Sequence, residues 1–284
     1  MASFQHLTVA PLSGAVGAEI SGVDVSGSLA PEVVAEIRQA LLDHGVIFLR
    51  DQVLDPDQHK AFGRNFGTLN IDKFVEGPPG HPEIMPVIKE AHDTGNFAGM
   101  WHSDVTFLAE PAMGSILYAR DVPDVGGDTM FSSMSRAYET LSPGMKTLLE
   151  GLRAVHCADV TYDRERMDEA NLTGGAMGYT DHNPSQEVSV HPVVRTHPET
   201  GRKGLYVNCA FTRAFEGMTV DESKPLLGFL YGHLSRIEFT CRFRWRKGSI
   251  AFWDNRAVQH LPINDYSGQR REMHRVTVAG DKPF

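Results

Sequence analysis

The sequence has little cysteine, no long apolar run and no cluster of basic residues. Its three cysteines, Cys157, Cys209 and Cys241, are widely spaced and form neither a metal-binding Cys-x-x-Cys motif nor a disulfide framework. They are typical of inert thiols in a reducing compartment. No stretch approaches about 18 consecutive apolar residues, so no membrane span is predicted. Residues 1–6 lack the basic and apolar regions of a secretory signal, so we expect a cytoplasmic protein.

The charge balance also narrows the possible partners. The formal net charge is −9, and the basic residues are scattered along the chain. Nucleic-acid binding requires a concentrated positive face, so this class of partner is disfavoured. A small anionic ligand stays possible if a few arginines converge. With 284 residues, 41% of them hydrophobic, and no repeat or break in composition, we expect one domain over residues 1–284.

The pattern of apolar residues predicts many short strands and few helices. Pro31 suits the first turn of a helix that ends at Gly45, and Asp55 with Gln58 has the spacing of a capping box. Polar segments near 68–100 and 157–189 read as loop inserts, of which the first leads into the candidate site as a lid or substrate loop. Strands are predicted at 46–49, 84–88, 113–119, 129–131, 190–194, 205–207, 250–253 and 271–278. Together these features favour a β-rich domain with peripheral helices, built as a double-sheet jelly roll.

A candidate metal site begins with His102 and Asp104. In extended chain, side chains two residues apart point to the same side, so an imidazole and a carboxylate can reach one small volume. His260, 156 residues after Asp104 and just beyond an apolar strand, is the best candidate for a third ligand. Two histidines and one carboxylate are typical of non-haem Fe(II) sites that keep open positions.

Two arginines follow His260 on one predicted strand. Arg271 and Arg275 share a face of that strand with Met273 between them. Two guanidinium groups aimed into an interior need anions, because an unpaired buried charge is costly. The forked donor set of arginine suits a carboxylate or a sulfonate.

Several segments together resemble the taurine dioxygenase-like Fe(II)/2-oxoglutarate-dependent oxygenases, over nearly the whole chain. These segments are Trp101-His102-Ser103-Asp104-Val105-Thr106-Phe107, Val125-Gly126-Gly127-Asp128-Thr129, Gly204-Leu205-Tyr206-Val207-Asn208, Trp253-Asp254-Asn255-Arg256 and Gln269-Arg270-Arg271-Glu272-Met273-His274-Arg275. The resemblance implies a double-stranded β-helix (jelly-roll) core. It also implies a dimer or tetramer that uses 2-oxoglutarate and O2, hydroxylates a small substrate, and releases succinate and CO2.

The resemblance also implies roles for individual residues. The three candidate ligands correspond to the iron ligands of the family. Arg271 corresponds to the partner of the distal carboxylate of 2-oxoglutarate, and Thr129 to a hydroxyl donor to the same group. Arg275 corresponds to the position that often holds the anionic group of the substrate. Val105 and Phe211 are candidates for lining the substrate pocket.

The substrate is less defined than the reaction. Taurine-using members have a histidine and an asparagine where this chain has Asp72 and Ala98, which weakens taurine as the substrate. An aspartate would repel a sulfonate and could instead hold a cation. With Arg275 retained, we expect a small organic acid, a sulfonate, a sulfate ester or an aryloxyalkanoate.

Three other functions remain open. A zinc hydrolase could use the same three ligands, but Arg271 and Thr129 would then have no carboxylate to hold. A jelly-roll binding module without turnover should have a damaged ligand set, which this chain does not have. A biosynthetic hydroxylase or desaturase acting on a natural product or an amino-acid-like substrate fits the same motifs.

Overall fold

In a computed structural model, residues 4–173 and 176–284 are described, and strands dominate. The strands are β1 (Thr8–Pro11), β2 (Ala18–Ser21), β3 (Val46–Leu49), β4 (Met85–Lys89), β5 (Gly114–Asp121), β6 (Thr129–Ser133), β7 (Arg153–Cys157), β8 (Val188–Pro192), β9 (Val194–Thr196), β10 (Lys203–Leu205), β11 (Thr212–Phe215), β12 (Thr240–Phe243), β13 (Ile250–Asp254), β14 (Val258–Pro262) and β15 (Arg271–Val278). The helices are α1 (Pro31–His44), α2 (Pro56–Arg64), α3 (Met134–Glu139), α4 (Pro143–Leu149), α5 (Arg164–Thr173) and α6 (Val220–Leu234). No helix among the described residues is long and apolar enough to cross a membrane.

The largest sheet has seven strands in the order β1-β2-β3-β13-β5-β15-β4. Apart from the parallel pair β2 and β3, its neighbours are antiparallel. A smaller sheet has the order β12-β6-β14, and two further small sheets pair β11-β7-β8 and β10-β9. Strands that are far apart in sequence become neighbours in the large sheet, which places β13 between β3 and β5.

Both faces of the large sheet are covered, so its central strands are buried on both sides. In β13, Ile250 and Phe252 pack in the cluster that includes α1 and α2, whereas Ala251 and Trp253 pack towards the smaller sheet. Phe131 of β6 joins the second cluster. This two-sided burial explains why 250–253 reads as a continuous apolar run in the sequence. The observed β-rich core with peripheral helices agrees with the predicted architecture.

The local signals for helix ends are confirmed. Helix α1 ends at His44, and Gly45, with φ 73°, donates its N–H to the carbonyl of Leu41. Asp55 and Gln58 form both hydrogen bonds of the predicted capping box at the start of α2. A short polar side chain or a glycine at these ends satisfies backbone groups that the helix itself leaves unpaired.

Other boundaries differ from the prediction. The apolar run 190–194 is split between β8 and β9, because the Val193 N–H bonds to the carbonyl of Leu152 and not to a neighbouring strand of a ladder. The strand predicted at 205–207 ends at Leu205, and the Tyr206 N–H turns back to the carbonyl of Val193. Segment 157–189, predicted as a loop, contains α5. In segment 68–100 the predicted strand is present as β4.

Candidate active site

Three buried side chains from two distant segments of the chain meet between the two main sheets. The ligand atoms of His102, Asp104 and His260 all lie within 4.8 Å of one another. The imidazole rings of His102 and His260 are 4.0 Å apart between centroids, and His102 Nε2 is 3.8 Å from Asp104 Oδ1. The structure therefore brings together the three residues that the sequence proposed as a metal site. Within the part of the chain that the structure describes, these three residues form the one such cluster of potential metal ligands.

Backbone hydrogen bonds join the two histidines directly. The His102 N–H donates to the carbonyl of His260 at 3.0 Å, and the His260 N–H donates to the carbonyl of His102 at 2.7 Å. This isolated antiparallel bridge attaches the His102 segment to β14. The extended chain predicted for His102 is therefore present, but Asp104 lies in a turn in which Val105 has φ 48°. A β-branched residue in that region stores about 1–3 kcal/mol of strain, which is typical of functional sites.

The ring nitrogens fit a metal ligand role. His102 Nδ1 lies 2.7 Å from the carbonyl oxygen of Met100 and must donate to it, which leaves Nε2 unprotonated. Nδ1 of His260 is buried and has no hydrogen-bond partner among the described residues. Burial lowers the pKa of both imidazoles, which keeps them neutral. Two neutral imidazoles and one carboxylate are a donor set that Fe(II) accepts.

The Asp104 carboxylate accepts hydrogen bonds from two side chains. Oδ1 accepts from Arg275 Nη1 at 2.6 Å, and Oδ2 accepts from the Ser115 hydroxyl at 2.7 Å. Burial by itself would raise the pKa of the Asp104 carboxyl, but the Arg275 guanidinium and its other neighbours hold that pKa well below the ordinary value. Asn255 accepts from the Asp104 N–H at 3.1 Å and donates to Ser115 Oγ at 3.1 Å. The carboxylate is thus ionised and fixed in orientation.

A cavity of about 600 Å³, counting its mouth, opens beside the two histidines. Arg271 of β15 and Thr129 of β6 both line it. Nε and Nη2 of Arg271 are buried and have no hydrogen-bond partner among the described residues. Thr129 Oγ1 accepts from Trp245 Nε1 at 2.9 Å, so its own hydroxyl hydrogen is free to donate elsewhere. A carboxylate placed in this cavity would satisfy both groups.

Two glycines let the chain reach Thr129 alongside Arg271. Gly126 and Gly127 have φ of 87° and 68°, which side-chain-bearing residues rarely adopt. A Cβ on Gly126 would stand 2.7 Å from the carbonyl oxygen of Asp265, and one on Gly127 would stand 3.4 Å from Arg271 Cδ. The Gly127 N–H donates to Asp265 Oδ1 at 2.7 Å. The Gly-Gly pair therefore allows close packing at the edge of the cavity.

Arg275 lines the same cavity, but two carboxylates flank it. Besides its bond to Asp104, its Nη2 lies 3.6 Å from Asp72 Oδ2 and 2.8 Å from Met85 Sδ. Asp72 Oδ1 is held by the N–H groups of Phe74 and Val75, at 2.9 and 3.0 Å. The structure therefore places Asp72 beside the predicted anchor, where its charge offsets that of the guanidinium.

The two predicted apolar contacts lie in different places. Val105 and Asp72 line a second cavity of about 730 Å³ with Met85. Phe211 is buried and packs edge to face against His102, with 6.1 Å between ring centroids. Phe211 therefore packs against a predicted metal ligand, whereas Val105 lines the second cavity together with Asp72.

Some residues of the site carried no sequence signal. Trp245 is buried like an ordinary core residue, but its indole N–H also orients Thr129. Ser115 reads as an ordinary strand residue. Asn255 lies within a segment of the resemblance, yet nothing in the pattern shows its contacts with Asp104 and Ser115. The contacts of Trp245 and Asn255 join residues 116 to 151 positions apart, and periodicity does not report them.

Side-chain hydrogen bonds join segments 94–96 and 262–266 at the mouth of the cavity. Tyr266 Oη donates to Asn96 Oδ1 at 2.7 Å, Asn264 Nδ2 donates to the carbonyl of Thr94 at 2.9 Å, and Asn96 Nδ2 reaches the carbonyl of Pro262 at 3.4 Å. The end of the 68–100 insert thus lines the cavity, and its role as a lid or substrate loop stays a prediction.

Comparisons with known proteins agree with this geometry. The family model described as "Taurine catabolism dioxygenase TauD, TfdA family" matches residues 8–277. An alpha-ketoglutarate-dependent sulfate ester dioxygenase of Pseudomonas putida is 36% identical over 98% of this chain and 91% of its own. An alpha-ketoglutarate-dependent 2,4-dichlorophenoxyacetate dioxygenase of Cupriavidus pinatubonensis is 34% identical over 95% and 97%.

A solved structure gives the same result for the fold. The crystal structure of a taurine dioxygenase from Burkholderia xenovorans superposes with a TM-score of 0.82 at 38% identity, covering 98% of this chain and 91% of that one. This likeness confirms the predicted jelly-roll core.

Proposed function

Because the chain belongs to the TauD, TfdA family of dioxygenases, and is a 2-oxoglutarate (alpha-ketoglutarate)-dependent dioxygenase, we propose that His102, Asp104 and His260 hold Fe(II) and that O2 is the oxidant. One observation carries this proposal. His102 and His260, which cluster with Asp104, line one cavity together with the unsatisfied Arg271 guanidinium. A keto acid that chelates the metal and reaches Arg271 with its distal carboxylate fits that arrangement.

The residues of the chain bind, orient and enclose the reactants. Bound Fe(II) supplies the site at which O2 and 2-oxoglutarate react to give succinate, CO2 and oxidised substrate. Arg271 holds the distal carboxylate as a forked donor, and Thr129 donates a further hydrogen bond to it. Asn96 and Tyr266 close the mouth and limit the entry of water. The protein contributes placement, which sets the distance of one substrate C–H bond from the oxidant.

We propose a small anionic substrate, namely a sulfonate, a sulfate ester or an aryloxy or carboxylic acid. Two relatives act on a sulfate ester and on an aryloxyacetate, and Arg275 supplies a cation beside the centre. Asp72, 3.6 Å from that cation, weakens the binding of a simple anion. A biosynthetic hydroxylase or desaturase of the same class is the alternative.

The zinc hydrolase has less support than the dioxygenase. A hydrolase would need only the three ligands and a water, so nothing in its chemistry would occupy Arg271. A buried guanidinium without a counter-ion is costly, and burial lowers the pKa of Arg271. The dioxygenase supplies the missing carboxylate as its co-substrate.

Anaerobic binding followed by turnover tests the proposal. Fe(II) and 2-oxoglutarate added without O2 should give a visible charge-transfer absorption band, and air with a suitable substrate should then give stoichiometric succinate. The panel contains alkyl sulfonates, alkyl sulfates, aryloxyacetates and taurine. Asp104→Ala should give no band, and Arg271→Met should require far more 2-oxoglutarate. Absence of the band and of succinate in the unaltered protein would overturn the proposal.

Three further properties are part of the same proposal. We propose that residues 1–284 form a single catalytic domain, because strands from both halves of the chain surround the centre. We also propose a homodimer or homotetramer, which light scattering on the purified protein would measure, and a cytoplasmic location.

A further inference from the structure

A second buried cation lies next to Arg271. Lys89 is the last residue of β4, and in the antiparallel register of β4 and β15 it is the direct partner of Arg271. Its side chain is 5% exposed and lines the cavity that contains the two histidines. Residues 85, 87 and 89 of β4 therefore face inward opposite 275, 273 and 271 of β15. The cavity wall thus carries two positive groups side by side.

Lys89 has no carboxylate partner among the described residues. Its Nζ donates to the side-chain oxygen of Asn264 at 2.7 Å and lies 4.0 Å from the centre of the Tyr266 ring. An amide and an aromatic face stabilise an ammonium group, but neither neutralises it. None of the ion pairs of the described residues includes Lys89 or Arg271.

The arrangement is unfavourable without an anion. Like charges directly opposite each other on neighbouring strands destabilise a sheet, and burial removes the water that would screen them. Lys60 shows how another buried lysine of this protein is neutralised by carboxylates. It is as buried as Lys89, at 6% exposed, but its ammonium lies 3.0 Å from Asp57 and 3.8 Å from Glu83. At Lys89 the missing negative charge must come from a ligand.

We infer that Lys89 is a positioning residue for the co-substrate, and that it binds the distal carboxylate of 2-oxoglutarate together with Arg271. The inference rests on the proposed function and adds a determinant of keto-acid selectivity to it. Arg271 supplies two parallel N–H donors, Thr129 supplies a neutral hydroxyl donor, and Lys89 supplies a second positive charge. Keto acids that end in a carboxylate are thereby favoured over those that end in a methyl group. Lys89 also links the carboxylate to Asn264, and so to the segment that closes the mouth.

The test compares two keto acids in binding, without turnover. Calorimetry with Mn(II) in place of Fe(II) gives dissociation constants for 2-oxoglutarate and for 2-oxopentanoate, which has a methyl group in place of the distal carboxylate. We expect Lys89→Met to weaken 2-oxoglutarate binding about 10- to 100-fold and to leave 2-oxopentanoate nearly unchanged. Lys89→Arg should keep most of the selectivity. Lys60→Met is the matched control and should keep all of it. Lys89→Gln replaces Lys89→Met if the latter fails to fold.

The outcomes of this experiment distinguish the role inferred for Lys89 from the proposed function of the protein. Equal weakening of both keto acids would mean that Lys89 only supports the fold, and would overturn this inference alone. Unchanged selectivity, or an effect confined to the KM of the primary substrate, would also overturn it. An unaltered protein that binds neither keto acid in the presence of Mn(II) would overturn the proposed function itself.

Discussion

The guanidinium Nη1 of Arg275 lies 2.6 Å from Oδ1 of Asp104, and both side chains are buried. The predicted substrate anchor therefore contacts a proposed metal ligand directly. Any anion that draws on this guanidinium also changes the environment of the Asp104 carboxylate. We therefore expect substrate charge and metal binding to be coupled through this ion pair.

Arg275→Met should destabilise the metal-free protein strongly. Removal of one partner leaves the Asp104 charge buried and uncompensated, which costs about 3–5 kcal/mol in free energy of unfolding. Chemical denaturation without metal measures this loss, and saturating Mn(II) should restore part of it. Arg270→Met, which removes a partly exposed cation from the same strand region, should cost less than about 1 kcal/mol. Equal losses in the two variants would contradict the coupling.

Ser115→Ala should weaken metal binding without unfolding the protein. The Ser115 hydroxyl fixes the orientation of Asp104, and loss of such an outer contact typically lowers metal affinity about 10- to 100-fold. Titration with Fe(II) under nitrogen measures the affinity. Ser132→Ala is the control, since that buried hydroxyl bonds to the carbonyl of Leu234, away from the proposed ligands. A Ser115 variant with the metal affinity of the control would rule out the role.

Trp245→Phe should raise the KM for 2-oxoglutarate several-fold and leave the KM of the primary substrate unchanged. The indole N–H orients Thr129, and the phenyl ring retains the apolar packing but not the donor. A double-mutant cycle with Thr129→Val checks the mechanism. If Trp245 acts through Thr129, the two effects on KM should be clearly less than additive. Full additivity would show that they act independently.

Asp72→Asn should improve the use of anionic substrates. The change removes a charge 3.6 Å from Arg275 while retaining an oxygen for the N–H groups of Phe74 and Val75. We expect the KM of sulfonates and sulfate esters to fall at least about fivefold, and any cationic or zwitterionic substrate to lose affinity. Asp124→Asn, at an exposed position, is the control. A higher KM for anions in the Asp72 variant would refute this account.

Acidification should destabilise the fold through buried neutral histidines. Burial lowers the pKa of His59 to about 3, while an unfolded histidine titrates at about 6.5. The unfolded chain therefore binds the extra proton between these values, and the free energy of unfolding falls with decreasing pH in that window. The loss for one such histidine is about 2 kcal/mol between pH 6.5 and 5.

Replacement of His59 tests whether this histidine causes the pH dependence of the free energy of unfolding. Denaturation of His59→Gln at several pH values should give a shallower pH dependence than the unaltered protein. His92→Gln, which removes an exposed imidazole, should leave the dependence unchanged. Parallel curves for all three proteins would show that His59 is not responsible.

The sequence predicts the proposed metal and co-substrate ligands better than it predicts the residues that orient these ligands. His102, Asp104, His260 and Arg271 belong to short local segments that mark the family and carry distinctive chemistry, so they could be named before the fold was seen. The roles of Ser115 and Trp245 could not be predicted from the sequence. Their roles depend on which strands become neighbours, and a serine or a tryptophan in a strand has an ordinary explanation in propensity and burial.

Backbone detail was equally beyond the sequence. The expected meeting of the imidazole and the carboxylate is present, but a turn at Asp104, and not the alternation of a strand, produces it. The positive φ of Val105 has no signal in residue type, because β-branched residues avoid that region. The same limit applies to Lys89, whose significance depends on its register opposite Arg271.

The main-chain bridge between positions 102 and 260 has a consequence for redesign. Because peptide groups, and not imidazoles, determine how these two segments are spaced, either ring can be exchanged for another donor while the scaffold around it keeps its shape. Variants with glutamine, cysteine or glutamate at these positions would then show which donor atoms the proposed metal ion prefers. A change in affinity would not be confused with a distorted backbone. The side chains at positions 102 and 260 can therefore be varied while the main chain that carries them keeps its conformation.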